Sequence, residues 1–263
     1  MAPAHRAAHH IARRPSWIAS ARAITMLTVT RTLSPAVWGT MVVLMALPMV
    51  FALAFASRGY LSGDPIAFLV ERNEQLVSAL VTPMVALLLS TSAFSAEHDD
   101  GTLIYLLTTT TPRWWIVTVR LLFAMIGTIL VSTVTVLAMG WIATGGYDPA
   151  HVTRAYAAAA LVGGAAYSAL FTLLAVRAKR ALVSGLVYII FWEGVLSTTF
   201  RALDYVSVRQ WMRAVARALV EVPDMAPATG PSVRAACIGL AVVMVLAVTL
   251  GARRLARPRL TRH

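Results

Sequence analysis

The sequence predicts an all-α integral membrane protein with six transmembrane helices. Of its 263 residues, 59% are hydrophobic and only 13% are charged, whereas soluble domains have about 45–50% apolar and about 25% charged residues. Six stretches are also long enough to cross a bilayer, because about 20 apolar residues at about 1.5 Å each cover the ~30 Å hydrocarbon layer. These two observations argue against a soluble globular enzyme.

The predicted spans occupy about half of the chain, so no segment remains that is long enough for a second domain of about 100 residues. We therefore treat residues 1–263 as one membrane domain. The six spans are placed at about 36–56, 75–95, 115–141, 156–176, 181–200 and 233–252.

The N-terminal region, residues 1–35, is predicted to stay on the cytoplasmic side. Within it, residues 16–33 place most of their apolar side chains on one broad side of a helix, with Arg22 and Arg31 elsewhere. This pattern is typical of an amphipathic helix that lies in the membrane interface.

The net charge of +12 could indicate nucleic-acid binding, attraction to anionic lipid, or the orientation of a membrane protein. With the N-terminus inside, the predicted cytoplasmic segments hold 15 basic and three acidic side chains, and the outer segments hold eight and seven. This distribution follows the positive-inside rule. We expect a multi-pass protein of a bacterial plasma membrane with both termini cytoplasmic, including the tail 253–263, and no nucleic-acid partner.

The longest outer connection, residues 201–232, contains a helical pattern between residues 203 and 220. Arg209, Arg213 and Arg217 recur at a spacing of four on one face. The apolar side chains near another face are Val206, Val208, Met212, Val215 and Leu219. This indicates a second interfacial helix, which could be a gate or lid over the outer mouth, or simply a re-entrant or surface-lying connector.

All the predicted cytoplasmic acids lie just after the second span. Glu97, Asp99 and Asp100 precede an apolar run, and acids in that position suit a helix N-terminus, where they cap free N–H groups. Gly101 permits a sharp turn out of the span.

The apolar run itself, residues 103–107, is a rod of about one to two helical turns. Such a helix is too short to cross a membrane and too apolar to remain bare. We expect Tyr105, Leu106 and Leu107 to fill a groove in a partner protein.

This loop resembles the Glu-x-x-x-Gly-Thr element of ABC-2 type transporter permeases, which in that family precedes a Leu-rich coupling helix. Glu97, Gly101 and Thr102 match the element, and Arg113 falls at the position of an arginine of the family, while Thr110 stands where the family has a proline. The layout of the chain is also similar, with an N-terminal interfacial helix, six spans and short outer helices before the sixth.

The resemblance implies the permease subunit of an ATP-binding cassette exporter, moving a hydrophobic or amphipathic substrate such as a drug, peptide or lipid. In that family two permease chains pair, as a homodimer or a heterodimer, and two copies of a separate ATP-binding subunit dock on the coupling helices. Coupling to that ATPase would involve Glu97, Asp99, Asp100, Gly101, Thr102, Tyr105, Leu106, Leu107 and Arg113.

ATP and Mg would be bound by the partner ATPase. The only lysine, Lys179, has no glycine loop around it, so the chain cannot form a Gly-x-x-x-x-Gly-Lys phosphate cradle. We therefore expect a transport subunit that is not itself an enzyme and that binds no cofactor or metal.

Glu193 is the only acid inside a predicted span. Placing a carboxylate in hydrocarbon costs at least about 2.5 kcal/mol, so this side chain should meet a partner, water or a substrate, or be protonated. Two interpretations follow: a role in the substrate path or between subunits, or a structural hydrogen bond to a neighbouring helix.

Two further features of the spans also allow alternatives. Arg120, near the start of the third span, could extend to the cytoplasmic lipid phosphates or pair with Glu97. The small residues 163–166, Gly-Gly-Ala-Ala, favour close helix packing, either within the chain or in a dimer.

Two other functional classes compete with the exporter. An intramembrane lipid-modifying enzyme would need several acids or histidines on one membrane face, whereas Glu193 and the Glu97 cluster are predicted on opposite sides. A self-sufficient channel or secondary transporter is the weaker alternative, because six spans with one buried charge offer it little support.

Overall fold

The computed structural model describes residues 34–58, 63–99, 113–148, 151–178, 180–196, 201–220 and 230–256. All regular secondary structure in these ranges is helical. The amphipathic helix predicted over residues 16–33 lies outside them.

Seven helices, numbered here in chain order, account for most of the described chain. Two of them, α2 and α5, are continuous helices that contain a π-helical segment. The bounds are α1 Pro35–Ser57; α2 Pro65–Arg72, Asn73–Val81 (π) and Thr82–Asp99; α3 Arg113–Thr144; α4 Val152–Arg177; α5 Ala181–Val187 and Tyr188–Leu196 (π); α6 Val208–Leu219; and α7 Val233–Ala256. A 3₁₀ helix, Arg201–Val206, precedes α6.

Five of these helices contain segments long and apolar enough to cross a membrane, as expected of an all-α membrane protein. The segments are Pro35–Ser57, Pro65–Phe94, Trp114–Thr144, Val152–Arg177 and Val233–Arg254. They correspond to the first four and the sixth predicted spans. The predicted fifth span corresponds to α5, an apolar helix that is shorter over its described length, Ala181–Leu196, so a sixth crossing stays a prediction.

Helix α2 starts earlier than the predicted second span. The second span was expected to begin at Gln75 after an outer loop, but the helix begins at Pro65. Asp64 caps it, because its carboxylate accepts from the backbone N–H groups of Ile66 at 3.0 Å and Ala67 at 3.4 Å, and proline suits the first helical position. Glu74 therefore lies inside α2.

The central helix is α4, which packs against α2, α3, α6 and α7. Its small residues 163–166 are buried, and a Cβ atom at Gly164 would lie 3.2 Å from the backbone nitrogen of Ile129 on α3. The small-residue face is thus used inside the chain, where it brings the backbones of α3 and α4 close together.

Buried hydroxyl groups join α2, α3 and α4. Thr172 Oγ1 donates to Ser90 Oγ at 3.4 Å, and Ser90 Oγ donates to the carbonyl oxygen of Ser168 at 3.3 Å. Ser168 Oγ in turn donates to Thr128 Oγ1 at 3.2 Å. Hydrogen bonds of this kind hold helices together where apolar burial gives no preference for protein over lipid.

Helices α1 and α7, at the periphery of the bundle, expose much of their apolar surface. Val43 on α1 is 69% exposed and Ile238 on α7 is 65% exposed. Exposed apolar faces on helices of membrane-spanning length are typical of contact with lipid.

Candidate functional site

Helix α6 lies within the segment 203–220 for which a helix is predicted, and it packs on α4 and α7. Its buried side chains are Val208, Trp211, Met212, Val215 and Ala216. Val206 and Leu219, also predicted near the apolar face, are exposed. Val206 belongs to the preceding 3₁₀ helix, and Leu219 is the last residue of α6. Its location in the membrane interface stays a prediction.

Glu193 anchors the N-terminus of α6. Its side chain is 3% exposed, with Ser207 Oγ donating to Oε2 at 2.6 Å and the backbone N–H of Val208 donating to Oε1 at 3.1 Å. Tyr188, on the same helix as Glu193, donates its hydroxyl to Oε1 at 3.1 Å. The carboxylate thus lies where free N–H groups and the helix dipole favour an anion.

This geometry bears on the two interpretations of Glu193. A hydrogen bond to a neighbouring helix is present, since Ser207 is the N-cap of α6 and also accepts from the N–H of Gln210 at 3.3 Å. A role in a substrate path or between subunits stays a prediction.

Glu74 forms a second anchor for α6. Its Oε2 lies 3.0 Å from Nη2 of Arg213, in a mostly buried ion pair. Tyr156 on α4 donates its hydroxyl to Oε1 at 3.3 Å, and Arg209 Nη2 donates to the Glu74 carbonyl oxygen at 3.4 Å. Because Glu74 belongs to α2, this cluster joins α2, α4 and α6.

Arg209 on α6 is a partly buried cation whose pKa depends on the carboxylates near it. Burial lowers the pKa of Arg209, and the neighbouring Arg213 cation lowers it further, whereas Glu74 and Glu193 act in the opposite direction. An arginine keeps its proton in proteins. The two acids therefore offset the cost of burying this guanidinium.

Sequence reasoning missed Glu74, Arg213 and Ser207 as members of this site. The pair Asp64-Pro65 is a helix-start signal that would have placed Glu74 on α2. Ser207 ahead of the apolar periodicity is likewise an N-cap signal. Nothing in the sequence indicates the Glu74–Arg213 pairing itself, because it depends on the packing of α6.

A cavity of about 340 Å³ lies beside the α6 anchor. Its walls come from α4, α5, α6, α7 and the 3₁₀ helix. The lining residues are Leu170, Tyr188, Trp192, Val206, Val208, Trp211 and Val243.

The predicted coupling segment lies largely outside the described residues. Asp100, Gly101, Thr102, Tyr105, Leu106 and Leu107 all fall between the end of α2 and the start of α3. The backbone of α2 continues to Asp99, so Glu97 and Asp99 lie in its last turn, whereas we expected them at the N-terminus of the next helix. Arg113 is the first residue of α3.

The two helices that flank this segment are in contact near its base. The Arg120 guanidinium on α3 lies over the ring of Phe94 on α2, 4.7 Å from its centre, and Arg120 is 5% exposed. Such a cation–π contact stabilises the close approach of the two helices. It also places Arg120 against α2 rather than on the exposed side of α3, where it could reach lipid phosphates.

The described residues form no metal site, and the chain matches no known family or curated protein. In the described part of the chain, no group of three or more His, Cys, Asp or Glu side chains is placed to hold a metal ion. Comparison with protein-family models and with curated proteins finds no match.

The Glu74–Arg213 pair gives a testable prediction. In a double-mutant cycle of Glu74→Gln and Arg213→Gln, we expect a coupling energy of about 1–2 kcal/mol in the free energy of unfolding, because the pair is mostly shielded from water. The measurement is denaturant unfolding in detergent micelles. The control cycle uses Glu71 and Arg72, a pair 3.7 Å apart whose side chains are 54% and 29% exposed, and for this more exposed pair we expect less than about 0.5 kcal/mol. Equal coupling in both cycles would contradict the anchoring role.

Proposed function

We propose that this chain is the permease subunit of an ATP-binding cassette exporter. It pairs with a second permease chain to form the path for a hydrophobic or amphipathic substrate, and a separate ATPase that binds ATP and Mg supplies the energy. The observation that carries the proposal is the Glu-x-x-x-Gly-Thr element of Glu97, Gly101 and Thr102. The element begins in the last turn of α2 and precedes α3 in the chain, and these two helices of membrane-spanning length contact each other near it.

The packing of α2 supports a mechanical role for this element. The part of helix α2 between Glu74 and Asp99, where the element begins, is about 35–40 Å long at about 1.5 Å per residue. Glu74 holds Arg213 of α6. A displacement applied to the cytoplasmic end of α2 would therefore reach the outer helix α6 through a continuous helix and an ion pair.

The anchors of α6 suggest what this displacement would change. Glu74 holds α6 from α2, whereas Glu193 holds it from α5. Movement of α2 relative to α5 strains one of these attachments. We propose that α6 opens the outer end of the path when the ATPase subunits close, which is one of the roles considered above for residues 203–220.

The test is co-expression of the chain with a candidate ATP-binding subunit. We expect Leu106→Asp to reduce co-purification by about tenfold or more, since a buried charge without a partner costs several kcal/mol. Glu97→Ala is expected to reduce ATP-dependent transport into membrane vesicles with less effect on assembly.

The matched control is Leu106→Met, which keeps an apolar side chain of similar volume and should retain both assembly and transport. If Leu106→Asp and Glu97→Ala both leave co-purification and ATP-dependent transport at the wild-type level, the coupling role of this segment is wrong. A chain that transports the same substrates without any ATPase would favour the secondary-transporter alternative.

A further inference from the structure

We propose that the cavity between α4, α5, α6 and α7 binds the alkyl chain of an amphiphile. This proposal deepens the proposed function, because it names the chemistry and the binding place of the apolar part of the ligand. The cavity has a volume of about 340 Å³, at the small end of the ~300–1,000 Å³ range of ligand pockets. A single chain or small ring fits such a volume better than a large multi-ring compound.

The walls of the cavity select against charge. Among the described residues, none that line the cavity is ionisable near neutral pH, since they are two tryptophans, one tyrosine, three valines and a leucine. A charged headgroup placed against them would lose its hydration without gaining a partner. The ligand's polar end must therefore remain outside the cavity.

Most polar atoms of the wall are already engaged. The Tyr188 hydroxyl donates to Glu193 at 3.1 Å, and Trp211 Nε1 donates to the carbonyl oxygen of Tyr205 at 2.9 Å. In the described part of the chain, Trp192 Nε1 is buried and has no hydrogen-bond partner. Because this nitrogen has almost no accessible surface, it offers a ligand no donor, and the wall presents almost only apolar surface to a ligand.

The cavity depends on the docked position of α6. Val206, Val208 and Trp211, all from residues 201–220, form part of its wall. Trp211 lies directly against α7 at Gly239, which has no Cβ atom. Any larger residue at this position would collide with the indole ring. The anchor at Glu193 that holds α6 therefore also closes this side of the cavity.

The experiment uses the full chain in phosphatidylcholine nanodiscs, with a diazirine-bearing methyl laurate as the photoreactive probe. Labelled peptides are mapped by mass spectrometry, with and without excess methyl laurate as competitor. We expect saturable labelling in the peptides that contain Tyr188 to Trp192, Val206 to Trp211, or Val243.

Two adjacent valines on α7 give a matched pair of variants. Val243 lines the cavity, whereas Val242 is 51% exposed. Val243→Phe should fill the cavity and reduce saturable labelling by about tenfold, and Val242→Phe should leave it unchanged. Because Val243→Phe could also disturb packing, Val243→Ala serves as a second variant that enlarges the cavity and should label at least as strongly as the wild type.

The proposal is overturned if labelling is not saturable, or if Val243→Phe labels as strongly as Val242→Phe. A second arm replaces the methyl ester with a phosphatidylcholine that carries the same diazirine chain. Labelling of the cavity by both probes identifies a site for bilayer lipid, and labelling by the methyl ester alone identifies a site for a separate amphiphile. Labelling needs no ATPase, so its failure is distinguishable from failure of the coupling variants.

Discussion

Glu193→Ala is expected to release α6 from the helix bundle and to lower the free energy of unfolding by about 3–5 kcal/mol. The substitution removes the acceptor of Ser207 Oγ, the Val208 N–H and the Tyr188 hydroxyl, and each buried donor left without an acceptor costs about 1–3 kcal/mol. Water that enters beside α6 would recover part of this loss.

Two measurements check this result. Denaturant unfolding in micelles gives the change in stability, and maleimide labelling reports the position of α6. For the labelling, Ala216→Cys is introduced into a Cys237→Ser background, because Ala216 is fully buried and Cys237 is exposed. We expect Ala216→Cys to be protected when Glu193 is present and to react rapidly in the Glu193→Ala variant.

Two controls separate the anchor from a general effect of losing an acid. Glu193→Gln retains one acceptor oxygen and should have a smaller effect than Glu193→Ala, because an amide cannot accept from all three donors. Glu71→Ala removes an exposed acid of α2 and should change neither measurement. Wild-type stability and continued protection of Ala216→Cys in the Glu193→Ala variant would refute the anchoring role.

The membrane-spanning helices were predictable because lipid imposes a strict rule on the backbone. A segment without water must satisfy its own N–H and C=O groups, so about 20 apolar residues in a row favour a helix. The same rule caused the error at the start of α2. Glu71, Arg72 and Glu74 interrupt the apolar run, yet the helix passes through them because Glu74 has partners in the folded chain.

The α6 site was predictable only in part. Glu193 is a single acid in an apolar segment and therefore needs a partner. That partner, Ser207, caps the N-terminus of another helix, α6, and lies 14 residues further along the chain. The contact of Glu74 with Tyr156 joins residues that are 82 positions apart. Such contacts follow from how α4 and α6 pack, and hydropathy contains no information on that packing.

The π-helical segments are a further feature that hydropathy does not indicate. Each of the two carboxylates that hold α6 lies in a π-helical segment. Glu74 belongs to Asn73–Val81, and Glu193 belongs to Tyr188–Leu196. A π-helical turn is wider than an α-helical turn, which changes the direction of the side chains that follow, and such turns are frequent at functional sites.

Gly164→Val is expected to separate α3 from α4 and to lower the free energy of unfolding by about 3 kcal/mol or more, at the upper end of overpacking effects. A Cβ atom at this position would lie 3.2 Å from the nitrogen and 3.3 Å from the Cα atom of Ile129. Those are backbone atoms, so the clash cannot be relieved by a rotamer change. Separating the helices would also break the hydrogen bond from Ser168 to Thr128.

Gly39→Val is the matched control, because a Cβ atom at Gly39 on α1 would meet nothing within 4 Å. The same substitution there adds a side chain to an open helix face and should leave stability unchanged or slightly higher, as glycine is the poorer helix former. Both variants are compared by denaturant unfolding and by the yield of monodisperse protein. Since α4 contacts α2, α3, α6 and α7, a shift at Gly164 affects the whole bundle. Equal stability of the two variants would contradict the close packing of α3 against α4 at this position.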